Sequence, residues 1–115
     1  MPQSDLVRRA IKYIDKHYTE YSLDILRISD AMGVSQSHLS REFKREVGMT
    51  LTDYIRQQRL HEAQRLLTSD KLSIKDISLL VGYPDPRALN RIFRQAEGFT
   101  AAEYRKYIRS LRNSD

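Results

Sequence analysis

Arg41, Lys44 and Arg45 stand three and four residues apart, and fifty positions further on Arg91 and Arg94 repeat the spacing, preceded by Arg87. Side chains of this kind suit one chemistry well. A guanidinium presents a planar fork of donors that matches O6 and N7 of guanine in the major groove of a duplex, or the oxygens of a phosphate. A lysine ammonium meets a phosphate as a point charge. At about 100° per residue on a helix, Ser37, Arg41, Lys44 and Arg45 fall on one side of their segment, opposite the apolar pair Leu39 and Phe43. Arg87, Arg91, Arg94 and Gln95 form the corresponding polar side of the second segment. The plainer reading is a solvated charged face, the usual fate of such residues, and Glu42, Glu46 and Glu97 share these segments.

The surroundings of the two basic stretches repeat as well. LSREFKREVGMTLTDY (Leu39 to Tyr54) and LNRIFRQAEGFTAAEY (Leu89 to Tyr104) align at an offset of fifty, pairing Phe43 with Phe93, Gly48 with Gly98, Thr50 with Thr100 and Tyr54 with Tyr104. Upstream, ILRISDAMGV (Ile25 to Val34) meets IKDISLLVGY (Ile74 to Tyr83) once the second copy's turn is granted one extra residue. One supersecondary unit is therefore built twice.

Glycine and proline are scarce and fall between periodic apolar segments, so the whole chain reads as helical, an all-α fold of seven helices. Leu6, Val7, Ala10, Ile11 and Ile14 make the stripe of a first helix, with Ser4 as its cap. A second helix covers roughly Leu23 to Met32, and a third runs from about Gln36 to Val47, opened by Ser35 and closed by Gly48. Thr50 to Asp53 has the pattern of a capping box for a long helix reaching about Thr68, with Ile55, Ala63, Leu66 and Leu67 buried. Ser73 to Asp76 opens a short helix ending near Val81. Asp85 caps the next, with Pro86 at the first position, where a missing N–H costs nothing. Thr100 to Glu103 is a further capping box, starting a last helix that frays toward Asn113 to Asp115.

A helix-turn-helix needs a small residue where its two helices cross, a glycine in the turn, and apolar side chains that lock the second helix down. Both copies supply them. Ser29, Gly33, Ile28, Val34 and Leu39 do so in the first; Ser78, Gly82, Ile77, Tyr83 and Leu89 do so in the second. A single copy would be matched as well by an ordinary helical hairpin, but two copies sharing every feature are not. Two such subdomains, about 5–51 and 69–112, are expected on either side of a linker helix over about 52–68. That helix spans roughly 25 Å at 1.5 Å per residue.

With 115 residues the chain has room for one small domain or two coupled subdomains. The net charge of +5 suits an anionic partner, and the excess lies mainly in residues 51–115, where twelve Lys and Arg face eight Asp and Glu. No cysteine is present, which removes disulfides and cysteine-ligated zinc. The apolar runs are too short for a signal-peptide core or a spanning helix, so a soluble, cytoplasmic protein without membrane partners is expected.

Beyond these features, the segment from about Ser22 to Arg105 resembles the DNA-binding domain of the AraC/XylS family of bacterial transcription regulators. The elements that carry the resemblance are RLHEAQRLL (Arg59 to Leu67), IKDISLLVGYPD (Ile74 to Asp85), and the RxFR, GFT and EYR pieces between Arg91 and Arg105. The likeness implies two recognition helices entering successive major grooves of double-stranded DNA. It places base reading on Ser37, Ser40 and Arg41 in one helix and on Arg87, Asn90 and Arg91 in the other. Together with the charged faces, the candidate contact set is Gln36, Ser37, Ser40, Arg41, Lys44, Arg45, Arg87, Asn90, Arg91 and Arg94. The chain departs from the family pattern at Ser29 and Ser78, where alanine is usual, at Ala88-Leu89, where an aromatic is common, and at Ala101, where proline is frequent. RNA polymerase is a second candidate partner. The opening AIKYIDKHYTEYSL (Ala10 to Leu23) is similar to the domain entry of two-domain members. The chain is thus expected to be the C-terminal part of a regulator with an effector or phosphoacceptor domain, rather than a small stand-alone activator.

No enzyme is expected. There is no nucleophile with a paired base, no phosphate-cradling glycine loop and no cofactor motif. His17, His38 and His61 are too scattered to form a metal site. The competing function is a helical module whose basic faces take an acidic protein partner. Only sequence-specific duplex binding predicts affinity that depends on base sequence.

Overall fold

The computed structural model of the chain describes residues 4–113, and the regular structure among them is seven helices without a strand. They are α1 (Asp5–His17), α2 (Ile25–Met32), α3 (Gln36–Val47), α4 (Leu51–Leu67), α5 (Ile74–Leu80), α6 (Pro86–Glu97) and α7 (Ala101–Arg112). Local chemistry sets most of the boundaries. Ser4, Ser35 and Asp85 accept backbone N–H bonds from the first turns of α1, α3 and α6. Ser73–Asp76 and Thr100–Glu103 form reciprocal capping boxes at the starts of α5 and α7. The expected box at α4 is half made: Thr50 Oγ1 accepts the Asp53 N–H at 3.1 Å, while the Asp53 carboxylate turns to Arg56 at 3.7 Å. The start of α2 is also corrected. Asp24 is extended and accepts the Arg27 N–H at 2.9 Å, so the helix opens at Ile25 and not at Leu23.

The chain divides into two compact units, one reaching Gln58 and the other beginning at Arg59. The first packs α1, α2, α3 and the start of α4 around Val7, Ala10, Ile14, Ile28, Leu39 and Phe43, all fully buried, with Leu51 and Ile55 closing the core. The second packs the rest of α4 with α5, α6 and α7 around Ala63, Leu67, Ile77, Val81, Leu89 and Phe93. Phe43 and Phe93 occupy the same place in each core, and each ring lies 5.5 Å from its tyrosine, Tyr54 or Tyr104. Truncating either phenylalanine to alanine should cost roughly 3–5 kcal/mol.

The two turns match atom for atom despite their different lengths. Ser29 C=O accepts the Val34 N–H at 3.1 Å, and Ser78 C=O accepts the Tyr83 N–H at 2.8 Å. Gly33 and Gly82 sit inside these loops at φ of 73° and 103°, a backbone conformation that side chains with a Cβ resist. The second connection is longer, Val81 to Asp85 against Gly33 to Ser35, because α5 stops a residue early and one residue is inserted. Both serines expected at the helix crossings are buried, Ser29 at 2% exposure and Ser78 at 0%.

Candidate nucleic-acid interface

Each recognition helix is held by its apolar side, which leaves the opposite side outward. In α3, Leu39 and Phe43 are fully buried while Gln36, Ser37, Arg41, Lys44 and Arg45 are exposed. In α6, Leu89 and Phe93 are buried with Ile92, while Arg87, Arg91, Arg94 and Gln95 are exposed. Ser40 and Asn90, one residue before Arg41 and Arg91, are half-buried at the edge of each face. On α6 the outward side chains, together with Asn90 and Thr100 from the start of the next helix, line an open concavity of about 500 Å³.

The basic groups of these faces differ in what already occupies them. Among the described residues Lys44, Arg91 and Arg94 make no side-chain hydrogen bond or ion pair, although Glu103, whose pKa is lowered first by the Thr100 N–H, also feels the charge of Arg94. Arg41 lies 3.4 Å from His38 Nδ1, and Arg87 lies 3.8 Å from Asp85. Arg45 is the most engaged: it donates to Glu42 at 2.5 and 3.0 Å and reaches Glu46 at 3.4 Å. The Glu42 hydrogen bond, reinforced by its charge, raises the Arg45 pKa above its ordinary value. Two carboxylates thus already compensate the charge of Arg45, while Lys44 beside it has no ion pair among the described residues.

Asn90 carries a bond that residue types alone do not reveal. Its Oδ1 accepts the Ala101 N–H at 3.0 Å and so ties α6 to the first turn of α7. Arg59 and Arg105 support the units from within. Arg59, at 7% exposure, lies with its guanidinium carbon 5.1 Å from the centre of the Tyr83 ring. Arg105, at 8%, donates to the backbone oxygens of Leu67 at 3.3 Å and Ser69 at 2.9 Å, where α4 ends. Burial lowers the Arg105 pKa, and the two carbonyls supply the partners that a buried guanidinium requires. The signal for both residues was present in the sequence. Each arginine falls on its helix's apolar stripe, Arg59 four residues after Ile55 and four before Ala63, and Arg105 four after Ala101.

His17 belongs to a polar network rather than a metal site. Arg27 donates to Tyr13, Ser22 and Glu20, and the His17 ring lies between Arg27 and Glu20. No group of three or more metal-ligating side chains is assembled among the described residues, and no helix there is long and apolar enough to cross a membrane.

Two helix pairs, each with a small crossing residue, a glycine turn and an outward basic second helix, define a tandem helix-turn-helix protein. Comparison agrees: residues 28–107 match the family described as "Helix-turn-helix domain", and the chain belongs to that family in its AraC/XylS form. Over 99 residues it is 37% identical to the xylose operon regulatory protein of Escherichia coli (strain K12), covering 86% of this chain and 25% of that protein. The chain thus spans about a quarter of that curated relative. Among solved structures, the C-terminal domain of AraT, a response regulator from Geobacillus stearothermophilus, superposes with a TM-score of 0.89 at 32% identity, covering 93% of this chain and 88% of that one. The DNA-binding domain of AdpA, a global transcriptional factor solved in complex with a target DNA, gives a TM-score of 0.87 at 26% identity, covering 97% and 100%.

Proposed function

We propose that this chain binds double-stranded DNA sequence-specifically and regulates bacterial transcription in the cytoplasm, as a binding module and not an enzyme. The observation that carries the reading is the repetition of an outward basic face, Arg41 with Lys44 and Arg91 with Arg94, on the second helix of two separately packed helix-turn-helix units. A solvated surface has no reason to repeat its cations in register with a buried lock. The family membership and the DNA complex of the AdpA domain support the same reading. Arg41, Arg87 and Arg91 are the leading base readers, with Lys44 and Arg94 on phosphates. The two faces would address two blocks of base pairs in successive major grooves, and RNA polymerase is a further partner on this reading.

The test is selection of bound sequences from random duplex DNA, followed by footprinting on the enriched site. Two blocks of preference centred about 10 base pairs apart are expected. Enrichment of no sequence, with equal affinity for all duplexes, would refute the proposal.

A further inference from the structure

Asn90 lies on the same side of α6 as Arg87, Arg91 and Arg94, at spacings of three, one and four residues, and lines the same open concavity. An asparagine on such a face ordinarily reads adenine, because its amide both accepts from N6 and donates to N7. That reading needs both ends of the amide. Here one end is tethered: a backbone N–H can only donate, so the atom 3.0 Å from the Ala101 nitrogen is the Asn90 carbonyl oxygen, which keeps a second lone pair but has its direction set by the start of α7. The bond closes the first turn of α7, where the N–H groups lack intrahelical acceptors.

We propose that Asn90 is a specificity-determining residue whose amide is oriented by the first N–H of α7, so that it meets a base through its NH₂ group, and that it therefore selects against adenine and cytosine. The inference rests on the duplex-DNA reading above. The free NH₂ group fits bases that show acceptors in the major groove, guanine through O6 and N7 or thymine through O4. Opposite adenine the N6 amino group is left without its acceptor. Opposite cytosine the N4 amino group meets another donor. The first unit has no counterpart, since Ser40 stands at the equivalent position and makes no such bond among the described residues. Its hydroxyl can both give and accept, so the corresponding base pair of the other block should be read permissively.

The geometry offers a test that leaves Asn90 itself untouched. Ala101 is the first residue of α7, a position that accepts proline, and Thr100 before it has φ −79° and ψ 167°, the extended conformation a following proline requires. Ala101→Pro thus removes the N–H while keeping the helix start and its Thr100–Glu103 capping box. Relative affinities for the four bases at each position of the second block are measured for the wild type, Ala101→Pro and Asn90→Asp on the selected duplex, alongside thermal melts. The wild type should favour guanine or thymine at one position. Ala101→Pro should shift that position toward adenine by roughly three- to tenfold, the scale of one hydrogen bond. Asn90→Asp keeps the acceptor for Ala101, should melt like the wild type, and should move the preference toward cytosine, whose amino group donates. An adenine preference already present in the wild type, or base preferences unmoved in both variants, would overturn the proposal and leave Asn90 as a helix clamp. Failure of the wild type to distinguish any duplex would instead overturn the DNA reading on which it stands.

Discussion

Arg91 and Arg94 stand three residues apart on one exposed face, yet different roles are expected from their places. Arg91 lies nearer the start of α6, and Arg94 lies in its last turn; on the proposed DNA reading the start is the end that approaches base edges. Arg91→Ala should relax base preference in one block only, with a loss of about 1–3 kcal/mol of discrimination. Arg94→Ala and Lys44→Ala should weaken binding to every sequence alike. A base-substitution scan on the selected duplex separates these outcomes, and loss of preference with Arg94→Ala would exchange the two roles. Inside the second unit, Arg105→Met retains the bulk of the stem and removes the donors to Leu67 and Ser69. Two backbone oxygens at the end of α4 then lose their partner, a cost of roughly 1–3 kcal/mol for each that stays dry. Urea melts measure it, and an unchanged midpoint would mean that water replaces the guanidinium.

The helix crossings and helix starts carry their own consequences. Ser29 and Ser78 are buried at the positions expected for the helix crossings, so Ser29→Leu or Ser78→Leu should force each pair apart at a cost of typically 1–3 kcal/mol. Alanine should be tolerated better. The Ser78 hydroxyl reaches only the Tyr83 carbonyl at 3.5 Å, and Ser29 bonds locally to Leu26 C=O at 3.0 Å. Denaturant melts of the four variants check this, and equal stability for the leucine pair would move the crossing elsewhere. Carboxylates secure several ends. Glu103 is held below its usual pKa by the Thr100 N–H, Glu46 by the Ser4 N–H, and Asp70 by Arg109. A carboxylate with a lowered folded pKa adds stability that is complete above its unfolded value, 4.5 for glutamate, and is lost as pH falls through the folded value. Melting temperature should therefore fall on acidification below about pH 4.5, and Glu103→Gln should flatten part of that fall.

Across the whole molecule the charge excess and the repeat predict how binding responds to salt and to symmetry. Each phosphate neutralised by Lys44, Arg91, Arg94 or their neighbours releases condensed counterions, so affinity should drop steeply and linearly in log salt. A flat response would leave the basic faces without a duplex to bind. The outward sets differ between the units, Ser37, Ser40 and Arg41 against Arg87, Asn90 and Arg91, so one chain should recognise an asymmetric site of about two helical turns. Footprinting decides the point, because a palindromic site that requires two chains would show that each chain supplies a single reading unit.

Residue type and spacing alone determined the number of helices, most of their limits and the outward sides of α3 and α6. These depend on local effects: a cap such as Ser35 or Asp85 bonds three residues ahead, and a 3.6-residue period sorts Leu39 from Arg41 without reference to anything distant. Even Asp24, which shortens α2, acts within its own turn. Only tertiary structure decided which polar groups on those faces remain available. Arg45 is compensated within its own helix by Glu42 and Glu46, neighbours the sequence already shows, but the Asn90 oxygen is held by Ala101, eleven residues away and on the next helix. Arg59 and Arg105 needed the fold for the same reason. A buried guanidinium is acceptable only where Tyr83 or the end of α4 meets it, and helical periodicity carries no information about which distant group packing brings there.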